Sequence, residues 1–372
     1  MEIIGWDIGG AHLKLARVRD GKVLALRQVP CALWQGVDRL AAAIDEGLAG
    51  WPPPGRHALT MTGELADIFP DRASGVRAIL ATVARRLGHA AIAVYASDGA
   101  FLSAESAAAS PERVASANWH ASARLAAAQI GDALFVDIGS TTTDIVPLRG
   151  GAIVARASDD AGRLACDELV YRGVVRTPVM AVVGHVAFDG ARIGVMAEHF
   201  ATMADVYRLA GELPPHADQH ATADGRGKSL PESAARLARM IGRDAAAAPE
   251  ETWRALARYI AGRQRQQLQD AAARVLSAAA LPIEAPLIGA GVGRFLAQAL
   301  AQRLARPYRG FDDIIDAADG AVAAGAADAA PAVAVALLAG AAPSSRARSR
   351  ATAAASSGAA RPPAVSAERK PR

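Results

Sequence analysis

Two short stretches carry residues whose types and spacing suit the binding of a phosphorylated ligand. Residues 7–14 read Asp-Ile-Gly-Gly-Ala-His-Leu-Lys, and residues 137–144 read Asp-Ile-Gly-Ser-Thr-Thr-Thr-Asp. Each puts a carboxylate at the end of a hydrophobic run, directly before residues small enough for backbone N–H groups to close on an anion. Asp7 and Asp137 suit magnesium, a hard cation that takes one or two carboxylates plus substrate phosphates and keeps several waters. Gly9, Gly10, Gly139, Ser140, Thr141 and Thr142 are then expected to cradle phosphate oxygens, with His12 and Lys14 in reach of the same charge. One such turn alone is as well explained by a hairpin with an Asp cap. Two at matching positions favour a binding role.

A third element, residues 286–295, runs from an apolar stretch through Gly289, Gly291 and Gly293 into a helical pattern. Its backbone can approach a flat ligand or a phosphate at the helix N-terminus, and a tight strand-to-helix packing turn is the plain alternative. Arg176 and Asp224 sit in polar loop sequences, 176–178 and 222–228, that could grip a carboxylate or phosphate or simply close turns. The histidines show no close metal-ligand spacing apart from the loop pair His216 and His220, so a histidine metal site is not expected.

These residues need elements to hold them. Alternation and glycine turns predict a meander of strands at 2–7, 13–19 and 23–29, then a helix over 34–48, a strand at 58–61, a helix over 75–87 and a strand at 91–95. That is the strand order of a ribonuclease-H-like lobe, in which antiparallel strands precede parallel ones. The opening recurs: strands at 134–137, 143–147 and 152–156 are again separated by an Asp-Ile-Gly turn and a glycine turn. Long helices follow at 233–241 and 250–281, then a strand at 285–288 and a helix over 294–304. The expected architecture is α/β, with a first lobe at 1–130, a second at 131–310 carrying helical insertions, and a cleft between them. Residues 311–342 are Ala-rich and helical in propensity, broken at Pro331, and are expected to pack back on the first lobe.

The pI of about 9.3 invites a nucleic-acid reading until the charge is located. Of 41 Lys+Arg and 37 Asp+Glu, seven basic residues and one acidic residue lie from Ser344 onward, which leaves 34 and 36 for the body. The segment 343–372 has almost nothing apolar to bury and is expected to be a disordered basic tail. A nucleic-acid partner is not expected. The two cysteines have no metal spacing and suggest a reducing compartment. With no membrane span or leader pattern visible, the expectation is a cytoplasmic protein without a membrane partner. Self-association is left open.

The two Asp-Ile-Gly turns and the late glycine loop resemble the phosphate-1, phosphate-2 and adenosine elements of the acetate and sugar kinase/Hsp70/actin superfamily. More narrowly, blocks at 60–67, 117–119, 137–144, 168–178, 200–208 and 222–228 resemble hydantoinase/oxoprolinase-related proteins of methanopterin-linked one-carbon metabolism, a group that includes an archaeal methanofuran-precursor synthase. The resemblance extends over most of residues 1–325. It implies an actin-like ATPase fold and a magnesium-dependent transferase. Its small-molecule substrates would be a furan-methyl diphosphate ester and a tyramine- or tyrosine-derived phenol, joined with release of pyrophosphate. Asp7, Lys14 and Asp137 would then hold the leaving group, and Glu64, Asp160 or His12 would serve as base for the phenol. Kinases of the superfamily usually carry a hydroxyl residue just after the first glycines, where this chain has Ala11-His12-Leu13. That departure argues against γ-phosphoryl transfer, and an ATP-dependent kinase or an amide hydrolase of the hydantoinase/oxoprolinase type is the alternative.

Overall fold

The computed structural model describes residues 1–88 and 90–341; the basic segment 343–372 lies outside the described residues. The chain opens with strands β1 (Glu2–Ile8), β2 (His12–Arg19) and β3 (Lys22–Pro30), followed by α1 (Val37–Leu48), β4 (Arg56–Met61), α2 (Arg72–Leu87), β5 (Ile92–Tyr95), β6 (Phe101–Leu102), α3 (Ala104–Ala109) and α4 (Asn118–Ile130). The plan then restarts with β7 (Ala133–Ile138), β8 (Thr143–Arg149), β9 (Ala152–Ile153), α5 (Asp160–Ala165), β10 (Leu169–Val170), α6 (Val179–Val182), β11 (His185–Phe188) and β12 (Ala191–Gly194). Helices α7 (Met203–Ala210), α8 (Leu230–Arg239) and α9 (Glu250–Ala279) lead to β13 (Leu287–Ala290), α10 (Arg294–Arg303), β14 (Tyr308–Gly310), β15 (Asp316–Ala317), α11 (Gly320–Asp328) and α12 (Ala330–Ala341).

The first sheet has the order β15-β3-β2-β1-β4-β5-β6, with β1 to β3 antiparallel and β4 and β5 parallel to β1. The second repeats the plan as β10-β8-β7-β13-β14. Both lobes are therefore ribonuclease-H-like, as expected. The third strand of the second lobe is the exception. Instead of running from 152 to 156, it leaves β8 after two residues and returns as β10, pairing with Thr143 and Asp144 at the other end of the same edge. The excursion holds α5, capped by the Asp159 carboxylate accepting from Gly162 N–H. It carries Asp160 and Arg163 over the cleft.

Strand alternation decides which side chains face which layer. In β1, Ile4, Trp6 and Ile8 pack against α1 and α2, while Ile3 belongs to a core shared with α4 and α12. In β7, Leu134, Val136 and Ile138 pack toward α7 to α10, while Phe135 joins the shared core. Asp7 and Asp137 have the parity of Ile3 and Phe135, so both point into the gap between the sheets. Lys14 and Asp144 follow from the same rule, with the parity of Ala16 and Val146.

Helix α12 fills part of that gap. It is apolar around its whole circumference, and Ala332 to Ala336 are completely buried, which is the signature of a core helix. A Cβ on Gly5 would lie 2.0 Å from the Ala332 carbonyl oxygen, so glycine lets β1 and α12 touch. The break falls one residue before Ala330, not at Pro331, because proline is tolerated in a first helical turn. The region is also less helical than expected: Phe311–Ile314 is a 3-10 turn and β15 pairs with β3. Among the described residues no single helix is long and apolar enough to cross a membrane.

Candidate active site

The gap between the sheets opens into a cavity of about 600 Å³. Its walls include both glycine turns, which are the same turn made twice. Gly9 N–H donates to the His12 carbonyl at 3.0 Å, and Gly139 N–H to the Thr142 carbonyl at 2.8 Å. Asp7 pairs across the ladder with Lys14, and Asp137 with Asp144. The N–H groups of Gly10, Ala11, Ser140, Thr141 and Thr142 donate to nothing among the described residues, which leaves them available for an anion. The second turn is pressed into shape from behind, since a Cβ on Gly173 would sit 2.3 Å from Thr141 N.

Asp7 is buried, and its Oδ1 has no partner. Burial raises its pKa and the Lys14 ammonium opposes this. Burial likewise pushes Asp137 up to about 7, helped by the charges of Asp144 and Asp7 and opposed by Lys14. Asp144 is raised by burial against the Arg163 guanidinium, 2.9 Å away. Asp7 has an orphaned buried oxygen on the cavity wall, with Asp144 on the same wall and Asp137 close enough to feel both charges, and carboxylate oxygens of this kind suit a hard cation. Among the described residues no group of three or more His, Cys, Asp or Glu closes around an ion by itself.

Lys14 is not a free surface lysine: its Nζ donates to the Asp328 carbonyl at 2.7 Å and lines the cavity. The Asp328 carboxylate is held in turn by Arg294 and by His216, so the end of α11 is fixed beside the first turn. His12 is buried in the cavity wall with Nε2 unpartnered, and its ring lies 4.6 Å from that of His220. Burial, then the neighbouring His220, Lys14 and Arg176 charges, push it down to about 3, so it is a neutral imidazole at ordinary pH. Arg176 also lines the cavity, and its guanidinium sits 5.2 Å from the centre of the Trp34 ring.

A second cluster lies on the same cavity wall. Arg163 is buried, paired with Asp144 and 3.8 Å above the Trp119 ring. Asp160 accepts from Arg72 at 2.7 Å, an ion pair that joins α5 of the second lobe to α2 of the first. Tyr171 and Ser116 complete that side.

Five of the expected site residues do not line the cavity: Asp137, Glu64, Gly289, Gly291 and Asp224. Glu64 is buried behind Ser116. Gly289 lies under Tyr308, where a Cβ would be 2.6 Å from the hydroxyl. Gly291, at φ +80°, seats the aspartate of the second turn, because a Cβ there would meet the Ile138 carbonyl oxygen at 2.3 Å and Asp137 Oδ1 at 2.4 Å. Asp224 organises its own loop by accepting from Arg236, Arg226 N–H and Thr222. Asp137 is half-buried and outside that lining. The residues that the sequence reading left without a role are Asp144, Arg163, Ser116, Tyr171 and His220. Only Asp144 had a visible signal, its match to the position of Lys14 in the first turn.

A model of the hydantoinase/oxoprolinase family matches residues 56–332. The chain belongs to the hydantoinase/oxoprolinase family. Similar proteins include the (4-{4-[2-(γ-L-glutamylamino)ethyl]phenoxymethyl}furan-2-yl)methanamine synthase of Methanocaldococcus jannaschii, 32% identical over 241 residues, which are 64% of this chain and 71% of that protein. The synthase of the same name from Methanococcus vannielii is 30% identical over 108 residues, 29% of this chain and 48% of its own length. Among solved structures, the nucleotide-free structure of acetone carboxylase, described with a mechanism of ATP-dependent acetone carboxylation, aligns with a TM-score of 0.51 at 11% identity, over 81% of this chain and 67% of that one. The two lobes of this family member are thus an actin-like ATPase fold.

Proposed function

We propose that the protein is a transferase that joins a phenol to a furan-methyl diphosphate and releases pyrophosphate, in the biosynthesis of a methanofuran-type coenzyme. The carrying observation is geometric: two turns with unengaged backbone N–H groups share one cavity wall with Asp7, Lys14 and Asp144, and Asp7 Oδ1 is buried without a partner, a combination fitted to a metal-bound diphosphate. The names of the similar synthases supply the rest, since their product carries a phenoxymethyl-furan ether. The first turn has Ala11 and His12 where a phosphoryl-transfer enzyme of this fold would use a hydroxyl, which speaks against ATP as phosphoryl donor.

In the proposed reaction the phenol oxygen bonds to the furfuryl carbon while the bond from that carbon to the diphosphate oxygen breaks. The electron pair leaves with pyrophosphate, and the phenolic proton goes to a base. Asp7 and Asp137 would hold magnesium, which when bound neutralises charge on the departing group. Lys14 and the N–H groups of both turns would orient the diphosphate and stabilise the charge that develops on it. Neutral His12 can donate or accept one hydrogen bond without adding charge.

The test is to incubate the purified protein and magnesium with a furan-methyl diphosphate and a tyramine-type phenol. Equal amounts of ether and pyrophosphate are expected, with no ATP consumed. Pyrophosphate without ether contradicts the synthase role, and an untouched diphosphate beside rapid ATP hydrolysis favours a kinase or amide hydrolase.

A further inference from the structure

The alkyl-transfer reading requires a base for the phenol, and the second cluster of the cavity wall contains a connected one. Glu64 is 1% exposed. Its Oε1 accepts from both the backbone N–H and the hydroxyl of Ser116, each at 2.9 Å, and its Oε2 is buried with no partner. A buried carboxylate oxygen without a donor costs stability when ionised and is relieved by a proton. The Ser116 hydroxyl is the only link from Glu64 to the cavity seen among the described residues. It lies 3.4 Å from Asp160 Oδ2, and Ser116 and Asp160 both line the cavity whereas Glu64 does not. Ser116 holds this place with φ at +51°, a conformation a serine adopts at a cost. Tyr171, partly exposed, and the edge of Trp119, whose face is covered by Arg163, flank the same wall.

We propose that Asp160 is the catalytic base for the acceptor phenol, and that Ser116 relays the proton from it to Glu64. This rests on the alkyl-transfer reading and names the chemistry of its acceptor side. As the phenol oxygen attacks, its proton passes to the Asp160 carboxylate. Asp160 hands a proton to Ser116 Oγ while the Ser116 hydroxyl hydrogen moves to Glu64 Oε1. The net transfer is one proton from phenol to Glu64, and it returns by the same path after the product leaves. Burial favours the protonated form of Glu64, with the Ser116 donors and the Arg72 charge opposing. The charged and titratable groups facing the relay are Arg72 on α2, Asp144 on β8, Arg163 on α5 and Tyr171 after β10. Arg72 pairs with Asp160 and fixes its orientation.

The experiment compares two acceptors with the full-length, magnesium-loaded protein: an unsubstituted tyramine-type phenol and a polyfluorinated one that is already ionised at neutral pH. For E64Q and D160N, pyrophosphate release with the unsubstituted phenol is expected to fall in kcat by about 10² to 10⁴-fold, the usual worth of a general base, with KM for the diphosphate unchanged. With the fluorinated phenol the loss is expected to stay below about tenfold, because no proton needs removing. Equal losses with both phenols would mean a structural role and overturn the relay, as would full activity in E64Q. Should E64Q fail to fold, D160N at the cavity surface gives the same comparison. A wild-type protein that releases no pyrophosphate with either phenol overturns the alkyl-transfer reading, and the relay with it.

Discussion

Lys14 and Asp144 stand at the same register position of two hairpins, each opposite the aspartate that opens its turn. Their opposite charges make the cleft asymmetric: Asp7 has an ammonium to lean on, while Asp137 has a second carboxylate beside it. Replacing Asp7 with Asn removes one charge from the metal-binding set and leaves the turn's backbone bonds intact. D7N is therefore expected to lower kcat/KM for pyrophosphate release by about 10² to 10³-fold, the scale of one lost preorganised electrostatic contact, and to raise the magnesium concentration needed for half-maximal rate. An unchanged magnesium requirement would remove Asp7 from the site. The aspartates and turn glycines were legible because a carboxylate at a strand end before Gly is a local pattern. Ser116 and Glu64 were not legible as a pair, since the hydrogen bonds joining them span 52 positions and depend on a left-handed backbone that no local pattern announces.

At the scale of elements, the alternation and glycine turns of β1, β2, β7 and β8 foretold the doubled lobe. What they could not foretell was the split third strand of the second lobe, because two residues of pairing leave no alternation to count. That split brings α5, and with it Asp160 and Arg163, to the cleft. The late glycine loop was legible as a close approach, and the structure shows the Asp137 turn packed against it. Two glycine substitutions separate these roles. G5A forces a Cβ into the Ala332 carbonyl and is expected to cost about 1–3 kcal/mol as an overpacked contact, read as a lower Tm with magnesium affinity unchanged. G291A must adopt φ +80°, at about 1–2 kcal/mol, and also displaces Asp137. Its expected signature is a lower Tm together with weaker magnesium binding by titration calorimetry. Equal magnesium affinity in the two variants would mean that the glycine loop does not seat Asp137.

For the whole molecule, the raised carboxylates couple folding to the ligand. Asp137 titrates at about 7 in the folded chain and at about 3.9 when unfolded, so between those values the folded state holds a proton that the unfolded state has released. Stability of the metal-free protein then falls as pH rises through that window, and Asp7 and Asp144, shifted in the same direction, add to the slope. A magnesium–diphosphate complex competes with those protons for the same oxygens. It is expected to raise Tm strongly at pH 8 and weakly at pH 5.5, up to about 2.7 kcal/mol at a hundredfold excess over its Kd. D137N adds a check of opposite sign: without ligand at pH 8 it is expected to melt higher than the wild type, because a poorly solvated charge beside Asp144 and Asp7 is gone, while gaining less from the ligand. Differential scanning fluorimetry of both proteins at the two pH values reads all four quantities. A ligand-induced shift that is independent of pH, or a D137N variant less stable than the wild type at pH 8, would break the link between these carboxylates and the metal.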